Sequence, residues 1–238
     1  MPKELPGQLS SAEVRQKIKE DDMPVILSFS RGKDSLAAWL ALRDDGIEVL
    51  PFFMYNPPGL QFINESIEYY ENYFDTEIRQ YPHQSLYTQL CDDLWQPPSN
   101  INFIVQSLVE SLENGYQTVN DWARYDFGLP DAWVVDGVRA VDSPMRFASA
   151  KKYGFLKPKT RTASVVGDWY KRDVMGRINA EPGLKLPVDY EMWGRSYDGT
   201  DKRFTEPLKE RFPEDYERLK VWFPLLEADQ LRWQRKDG

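Results

Sequence analysis

The sequence predicts a doubly wound α/β fold with a mostly parallel, five-stranded sheet. Three observations predict it: short apolar runs of strand length, helical segments between these runs, and a small, polar loop between the first run and its helix. Strands that alternate with helices imply parallel pairs joined by right-handed crossovers. We expect one such domain over residues 1–185, with a loop and helices over residues 186–238 packed on it.

The first elements follow from apolar patterning and helix-end residues. Ser10 or Ser11 is the expected N-cap of an amphipathic helix whose first turn contains Glu13. Unbroken apolar runs of four to eight residues are typical of buried strands, although a segment of a buried helix gives the same pattern. The elements expected after the first helix are strand 25–29, helix 36–42, strand 49–55, helix 64–74 and strand 77–81.

The later elements are less regular. Residues 85–128 have a helical pattern, strongest over 103–113 and 119–125, and the apolar run 132–136 predicts a fourth strand. The remaining expected elements are a strand near 163–166, a helix over 169–178, and helices around 201–212 and 213–235.

Composition excludes several classes of protein. With one cysteine (Cys91) and one histidine (His83), the chain can form neither a disulfide framework nor a cysteine-rich zinc site. A metal would therefore be an oxygen-ligated ion such as Mg²⁺. Neither a signal peptide nor a membrane-spanning run is visible, so we expect a cytoplasmic protein with no membrane partner.

The net charge of −8 argues against a broad nucleic-acid-binding surface. One segment is locally basic, and two interpretations of it are open: a solvated turn, which the lysines alone favour, and a cationic pocket. Its members are Lys151, Lys152, Lys157, Lys159 and Arg161.

The loop between the first strand and its helix has the composition of a phosphate-binding loop. Gly32 permits close approach of the backbone, Lys33 adds a mobile charge, and Ser30 and Ser35 add hydroxyls. It is not a Walker A loop, because Leu27 and Asp34 stand where that motif needs glycine and a hydroxyl residue. An ordinary strand-to-helix turn is the alternative.

Residues 28–35, Ser-Phe-Ser-Arg-Gly-Lys-Asp-Ser, resemble the pyrophosphatase loop (PP-loop) of the adenine nucleotide α-hydrolase superfamily, in the form typical of the phosphoadenosine phosphosulfate reductase family. Arg31 departs from the family pattern, which has its first glycine there. If the position requires positive φ, arginine is strained; alternatively, Arg31 adds a guanidinium to the phosphate cage. Both remain open at this stage.

Two later motifs resemble the same family in the same order. One is Asp136-Gly137-Val138-Arg139 with Asp142-Ser143-Pro144-Met145-Arg146, and the other is Val165-Val166-Gly167-Asp168-Trp169 with Asp173-Val174. The resemblance covers about three quarters of the chain, the extent expected of one doubly wound domain. It implies an adenine nucleotide α-hydrolase-like fold.

The resemblance also implies roles for individual residues. Lys33, Asp34 and Arg139 would be catalytic, with Asp34 near a magnesium ion. The implied nucleotide-binding residues are Ser28, Ser30, Arg31, Gly32, Lys33, Ser35, Tyr55, Asn56 and Gly137. The implied substrate- or phosphate-binding residues are Asp142, Ser143 and Arg146. The resemblance does not extend beyond residue 186, and the loop of residues 193–199 allows two interpretations: a lid over the nucleotide with Arg195 as a donor to phosphate, and a packed connection. The family's Asp-Thr-Gly after the second strand is replaced here by residues 56–59, Asn-Pro-Pro-Gly.

Arg139 and Arg146 allow two interpretations. Both could bind a phosphate or sulfate as two-pronged donors, or both could form surface salt bridges. A helix would place residues seven apart on one face, but Pro144 favours a turn between them.

The missing cysteine decides which activity we expect. The resembling reductases use a cysteine near the C-terminus, whereas Cys91 is the last cysteine of this chain. The remaining chemistry is attack on the α-phosphate of ATP or a related adenine nucleotide, with Mg²⁺, which releases pyrophosphate and adenylylates an unknown acceptor. The alternatives are a nucleotide-binding partner subunit without chemistry, and a reductase that acts through Cys91.

Overall fold

The computed structural model of the chain describes residues 5–91, 115–197 and 199–228. Its strands are β1 (Val25–Ser28), β2 (Val49–Tyr55), β3 (Arg79–Pro82), β4 (Val134–Asp136), β5 (Leu156–Lys157) and β6 (Thr162–Ser164). Its α-helices are α1 (Ser11–Lys19), α2 (Lys33–Asp44), α3 (Gln61–Phe74), α4 (Gln84–Cys91), α5 (Tyr116–Phe127), α6 (Pro144–Tyr153), α7 (Lys171–Asn179), α8 (Asp189–Trp193), α9 (Lys202–Arg211) and α10 (Pro213–Trp222). The helix predicted over 103–113 lies outside the described residues.

The strands form one sheet in the order β3-β2-β1-β4-β6-β5. Ile26 of β1 stands opposite Leu50 of β2 on one side and Val134 of β4 on the other, and both pairings are parallel. β4 is also parallel to β6. β1 is a continuous apolar run because a central parallel strand is covered on both faces. The predicted mostly parallel α/β fold is confirmed.

The sheet has six strands where the sequence predicts five. The additional strand, β5, pairs antiparallel with β6 and lies in the lysine-rich segment. A turn is present there, since the N–H groups of Thr160 and Arg161 donate to the carbonyls of Lys157 and Pro158. The sequence missed β5 because two residues are too few to carry a strand pattern.

The segment around Pro144 is a helix, and the turn favoured for it is wrong. Pro144 is the first residue of α6, where its missing N–H is not needed. The hydroxyl of Ser143 caps this end by accepting from the N–H of Arg146 at 3.1 Å. Lys151 and Lys152 consequently lie in the last turn of a helix rather than in a loop.

The described residues form two compact units. The first takes its residues from Met1–Phe53, Tyr70–Arg79 and Val119–Leu186, and the second from Met54–Tyr69, Gln80–Thr118 and Pro187–Gly238. The division after residue 185 stays a prediction. No helix of the described ranges has both the length and the apolar character needed to cross a bilayer.

Aromatic rings form part of the core of the first unit. The ring of Phe29 lies edge-on to Trp39 at 5.1 Å and to Tyr70 at 5.3 Å between centroids. Trp39 stacks on Phe74 at 3.9 Å. Because residues 35–42 of α2 are all buried, this helix lacks the amphipathic period of a surface helix.

The second unit has its own aromatic cluster, in which Phe62 lies against Trp193, Tyr197 and Phe212. The buried carboxylate of Asp215 accepts from the N–H groups of Gln61 and Phe62 at 2.7 and 3.1 Å, which caps α3. The helices predicted around 201–212 and 213–235 are present as α9 and α10, but α10 ends at Trp222, and residues 229–235 lie outside the described residues. Helix α8 lies in a region expected to be a loop.

Candidate functional site

The loop after β1 leads directly into the first turn of α2. β1 ends at Ser28, and Gly32 is the N-cap of α2, with no side-chain capping bond. The first N–H groups of any α-helix lack intrahelical acceptors, and the helix dipole makes this end positive. The loop therefore has the backbone geometry of an anion-binding site.

The two serine hydroxyls brace the loop. Ser35 Oγ donates to the carbonyl of Gly32 at 2.9 Å and accepts from the N–H of Ser30 at 3.2 Å. The two hydroxyl oxygens lie 3.1 Å apart. These bonds hold the loop in one conformation, so the hydroxyls have a structural role whether or not they also contact a ligand.

Arg31 adopts the left-handed backbone conformation. Its φ is 61°, so the position has the positive φ that the sequence left open, and arginine is strained there. The side chain is 1% exposed, and its guanidinium carbon lies 5.4 Å from the centroid of the Phe53 ring. Packing of this buried side chain against Phe53 helps to hold the strained backbone in place.

Gly137 is required by a steric contact. A Cβ atom at this position would lie 2.4 Å from the carbonyl oxygen of Asp34 and 2.7 Å from the nitrogen of Ser35. The residue that follows β4 thus packs directly on the first turn of α2. No side chain fits between the two segments.

Charged side chains converge on the start of α2. Asp34 Oδ2 lies 2.6 Å from Lys33 Nζ, and Asp34 Oδ1 lies 2.9 Å from Arg139 Nε. The side chain of Arg139 is 5% exposed. Within the described residues, Arg139 Nη1 is buried and has no hydrogen-bond partner.

Asp142 holds both arginines of the later motif. Its Oδ1 accepts from Arg139 Nη2 at 2.6 Å, and its Oδ2 accepts from Arg146 Nη1 at 3.2 Å. Asp142 belongs to the 3₁₀ turn Ala140–Asp142, which keeps it within reach of both. Both arginines therefore take part in ion pairs, but Arg139 is buried whereas Arg146 is exposed.

Asp136 is a notable group to which the sequence assigned no role. Burial raises the pKa of its carboxyl, and the bonds from Ser164 and from the N–H of Val138 counteract this only in part. The sequence feature that could have identified Asp136 is its position as an acidic residue at the end of a buried strand. Arg146 and Lys157 also lower the pKa of Asp136, so both cations lie near it.

The structure places three predicted site residues, Tyr55, Asn56 and Arg195, in the second unit. The carbonyl of Tyr55 accepts from the N–H of His83 at 2.9 Å. The guanidinium of Arg195 lies 5.8 Å from the Phe204 ring centroid. Their role toward a nucleotide stays a prediction.

Asp34 is the carboxylate of this site that faces the loop. The described part of the chain contains no group of three or more His, Cys, Asp or Glu residues arranged around a common metal position. One carboxylate with phosphate oxygens is the usual way in which proteins hold Mg²⁺. Asp34 supplies one carboxylate at the loop, and its Oδ1 is buried without a hydrogen-bond partner in the described residues. Lys33 and Arg139 already pair with this carboxylate, and its role toward Mg²⁺ stays a prediction.

No protein-family model matches the chain, and neither does any curated protein. Among solved structures, it is similar to an NH3-dependent NAD synthetase from Campylobacter jejuni in complex with nitrate (14% identity, 96% of this chain and 93% of that chain, TM-score 0.44). It is also similar to a predicted subunit of tRNA methyltransferase from Methanocaldococcus jannaschii (18% identity, 82% of this chain and 91% of that chain, TM-score 0.37). A third similar structure is a glutamine-dependent NAD+ synthetase from Acinetobacter baumannii in complex with ADP (17% identity, 99% of this chain and 47% of that chain, TM-score 0.42).

Proposed function

We propose that the first unit binds the phosphates of ATP, or of a closely related adenine nucleotide, at the loop of residues 30–35. The observation that carries this proposal is the side chain of Arg139. It is buried and paired with Asp34 at the start of α2, and its Nη1 has no hydrogen-bond partner in the described residues. A buried charged donor without an acceptor is costly, so an anionic ligand oxygen would complete it.

The charges around the loop support a polyanionic ligand. Three cations, Lys33, Arg139 and Arg146, form ion pairs with the carboxylates of Asp34 and Asp142. The positive end of α2 adds further positive charge at the loop. The resemblance of residues 28–35 to the PP-loop supports an adenine nucleotide in particular.

Magnesium would be held by Asp34 together with phosphate oxygens. When bound, the ion neutralises charge on the phosphates. Lys33 and Arg139, which both contact Asp34, are positioned to do the same for the leaving group.

The reaction proposed for this site is adenylyl transfer. A nucleophile of the acceptor forms a bond to the α-phosphorus, the bond from that phosphorus to the bridging oxygen of the β-phosphate breaks, and pyrophosphate leaves. Charge develops on the pyrophosphate, and fixed cations stabilise it without moving. Lys33 and Arg139 supply these cations.

Arg31 favours a second candidate, a nucleotide-binding subunit without chemistry. This arginine holds the left-handed position of the loop, where the resembling family has glycine, and it is buried. A reductase acting through Cys91, the last residue of α4, has weaker support because the resembling reductases carry their cysteine near the C-terminus.

ATP binding by calorimetry, in wild type and in Arg139→Gln, tests the proposal. Loss of one charge-assisted bond costs about 1.5–3 kcal/mol, so we expect ATP affinity to fall about ten- to a hundredfold. Lys17→Ala removes an exposed cation of α1 and serves as the control. Arg139→Lys keeps the charge without the planar fork and should bind with intermediate affinity.

Wild-type affinity in Arg139→Gln would reject the nucleotide site. Pyrophosphate release from ATP and Mg²⁺ separates the two candidates. Release that Lys33→Ala abolishes supports adenylyl transfer, whereas tight binding without release in the presence of acceptors selects the non-catalytic subunit.

A further inference from the structure

Helix α6 has an uncovered outer face. Of its ten residues, only Ala150 is buried. Met145 is 84% exposed and Tyr153 is 58% exposed. Short helices usually gain their stability by packing an apolar face, whereas Met145 and Tyr153 of this short helix expose most of their side chains to water.

The side chains of this outer face share one side of the helix. Residues three, four and seven apart are neighbours on a helix, which groups positions 145, 149 and 152 with positions 146 and 153. We name this group the α6 face; its members are Met145, Arg146, Ser149, Lys152 and Tyr153. It combines apolar, aromatic and cationic groups and contains no acid.

The positive charge continues beyond the α6 face. Residues 143–161 contain six cations and no Asp or Glu, although the whole chain has a net charge of −8. The exposed side chains of Lys151, Lys157 and Lys159 have no ion-pair partner in the part of the chain that the structure describes. We name these three lysines, which do not belong to the α6 face, the basic strip: Lys151, Lys157 and Lys159.

The α6 face begins beside the candidate nucleotide site. Arg146, in the first turn of α6, pairs with Asp142, which also holds Arg139. Lys157 lies on β5, an edge strand of the sheet. A ligand on the α6 face would therefore extend from the start of α2 towards an open edge of the sheet.

We propose that the α6 face and the basic strip bind single-stranded nucleic acid. Cations without interspersed acids fit a chain of regularly spaced phosphates. Tyr153 offers a ring for base stacking. Lys152 Nζ lies over one face of that ring, 4.8 Å from its centroid, so a base would stack on the opposite face. A single strand has bases free to stack on an exposed ring, whereas a duplex does not. This inference does not depend on the nucleotide proposal.

The test is fluorescence anisotropy of labelled single-stranded DNA and RNA oligonucleotides with the full chain. We expect binding that weakens with salt, with a slope of about −0.7 in log affinity against log salt for each phosphate contacted. Lys152→Glu should weaken binding at least about tenfold and reduce the salt slope, and Tyr153→Ala should weaken it about tenfold through lost stacking. Lys17→Glu, the same charge reversal at an exposed lysine of α1, is the matched control and should leave affinity within about twofold.

Several outcomes would overturn the inference. If Lys152→Glu and Lys17→Glu lowered the affinity for single-stranded nucleic acid equally, only the net charge of the chain would matter for binding. Equal affinity for polyglutamate would indicate an acidic protein partner, and duplex preferred to single strand would exclude base stacking. Self-association in sedimentation that Lys152→Glu abolishes would assign the α6 face to a second copy of this acidic chain. The affinity for ATP, measured on the same samples, should be unchanged in Lys152→Glu. If neither wild type nor any variant bound ATP, the nucleotide site would be refuted, but the nucleic-acid proposal would not.

Discussion

Two backbone positions determine the conformation of the loop between β1 and α2. Arg31 places the chain in the left-handed region, and Gly137 allows the segment after β4 to touch the first turn of α2. Neither effect arises from a side-chain contact with a ligand. Substitution at either position therefore tests the shape of the loop separately from its charges.

Gly137→Ala should destabilise the protein by about 1–3 kcal/mol, because overpacking forces the backbone of Asp34 away. It should also weaken ATP binding. Gly176→Ala is the matched control: this glycine lies inside α7 with nothing near its added Cβ, so alanine should stabilise by about 0.5–1 kcal/mol. Urea unfolding measures both, and an equal effect of the two substitutions would contradict the steric role of Gly137.

Arg31→Gly and Arg31→Ala remove the same buried guanidinium but differ in backbone cost. The left-handed conformation costs a residue with a Cβ about 1–2 kcal/mol, and glycine adopts it freely. We therefore expect the glycine variant to be the more stable of the two by about 1 kcal/mol. At most positions an alanine variant is more stable than a glycine variant. A higher Tm for Arg31→Ala than for Arg31→Gly in thermal unfolding would therefore show that Arg31 is not strained.

At the scale of elements, ion pairs join α7 to α2. Arg177 donates to Asp44 through Nε at 2.6 Å and Nη2 at 2.8 Å, and to Glu181 through Nη1 at 2.9 Å. Arg43 of α2 donates to the same Glu181 at 2.7 Å. The hydrogen bond from Arg177 lowers the pKa of Asp44 below its usual 3.8.

Removing this arginine should have a pH-dependent effect. Because the folded-state pKa of Asp44 is depressed, the stability it contributes is present above its unfolded pKa and is lost as pH falls through the folded value. Arg177→Met should cost about 1 kcal/mol or less at neutral pH, because the pairs are partly exposed. The difference from wild type should shrink below pH 4. Arg172→Met, which removes an exposed partner of Asp173, is the control. If the free energies of unfolding of wild type and Arg177→Met differed by the same amount at all pH values, this account would be contradicted.

Most elements could be predicted because their signals are local. The N-cap of α1 is Ser10, one of the two serines expected there, and it forms a capping box with Glu13 of the first turn. Strand β2 has the predicted bounds, since an apolar run needs no distant partner to be recognised. β5 and α6 could not be predicted, because β5 is defined by pairing with β6 and the proline of α6 allows either a turn or a helix start.

At the scale of the whole molecule, charge is distributed unevenly. A chain of net charge −8 has a stretch of six cations and no acid, which includes the exposed side chains of α6. An acidic chain repels polyanions on average, so binding of nucleotide or nucleic acid requires such local concentrations. The net charge argues against a broad nucleic-acid-binding surface, and the sequence already marks residues 151–161 as locally basic. Only the fold shows that Lys151 and Lys152 lie on an exposed helix and Lys157 on an edge strand.

Nucleotide binding should stabilise the folded chain as a whole. At a hundred times its Kd, a ligand that binds only the folded state adds about 2.7 kcal/mol. Differential scanning fluorimetry should show a higher Tm with ATP for wild type and Lys17→Ala. Arg139→Gln should show a much smaller rise at the same concentration; an equal rise in all three proteins would indicate that ATP binds elsewhere.

The sequence by itself determined most strands and helices along the chain and the composition of the loop, because periodicity, capping and turn residues act between near neighbours. Only the tertiary structure decided that Arg139 pairs with Asp34, that Gly137 touches α2, and that β5 is an edge strand of the sheet. These contacts join segments far apart in the chain, and they depend on how the segments pack.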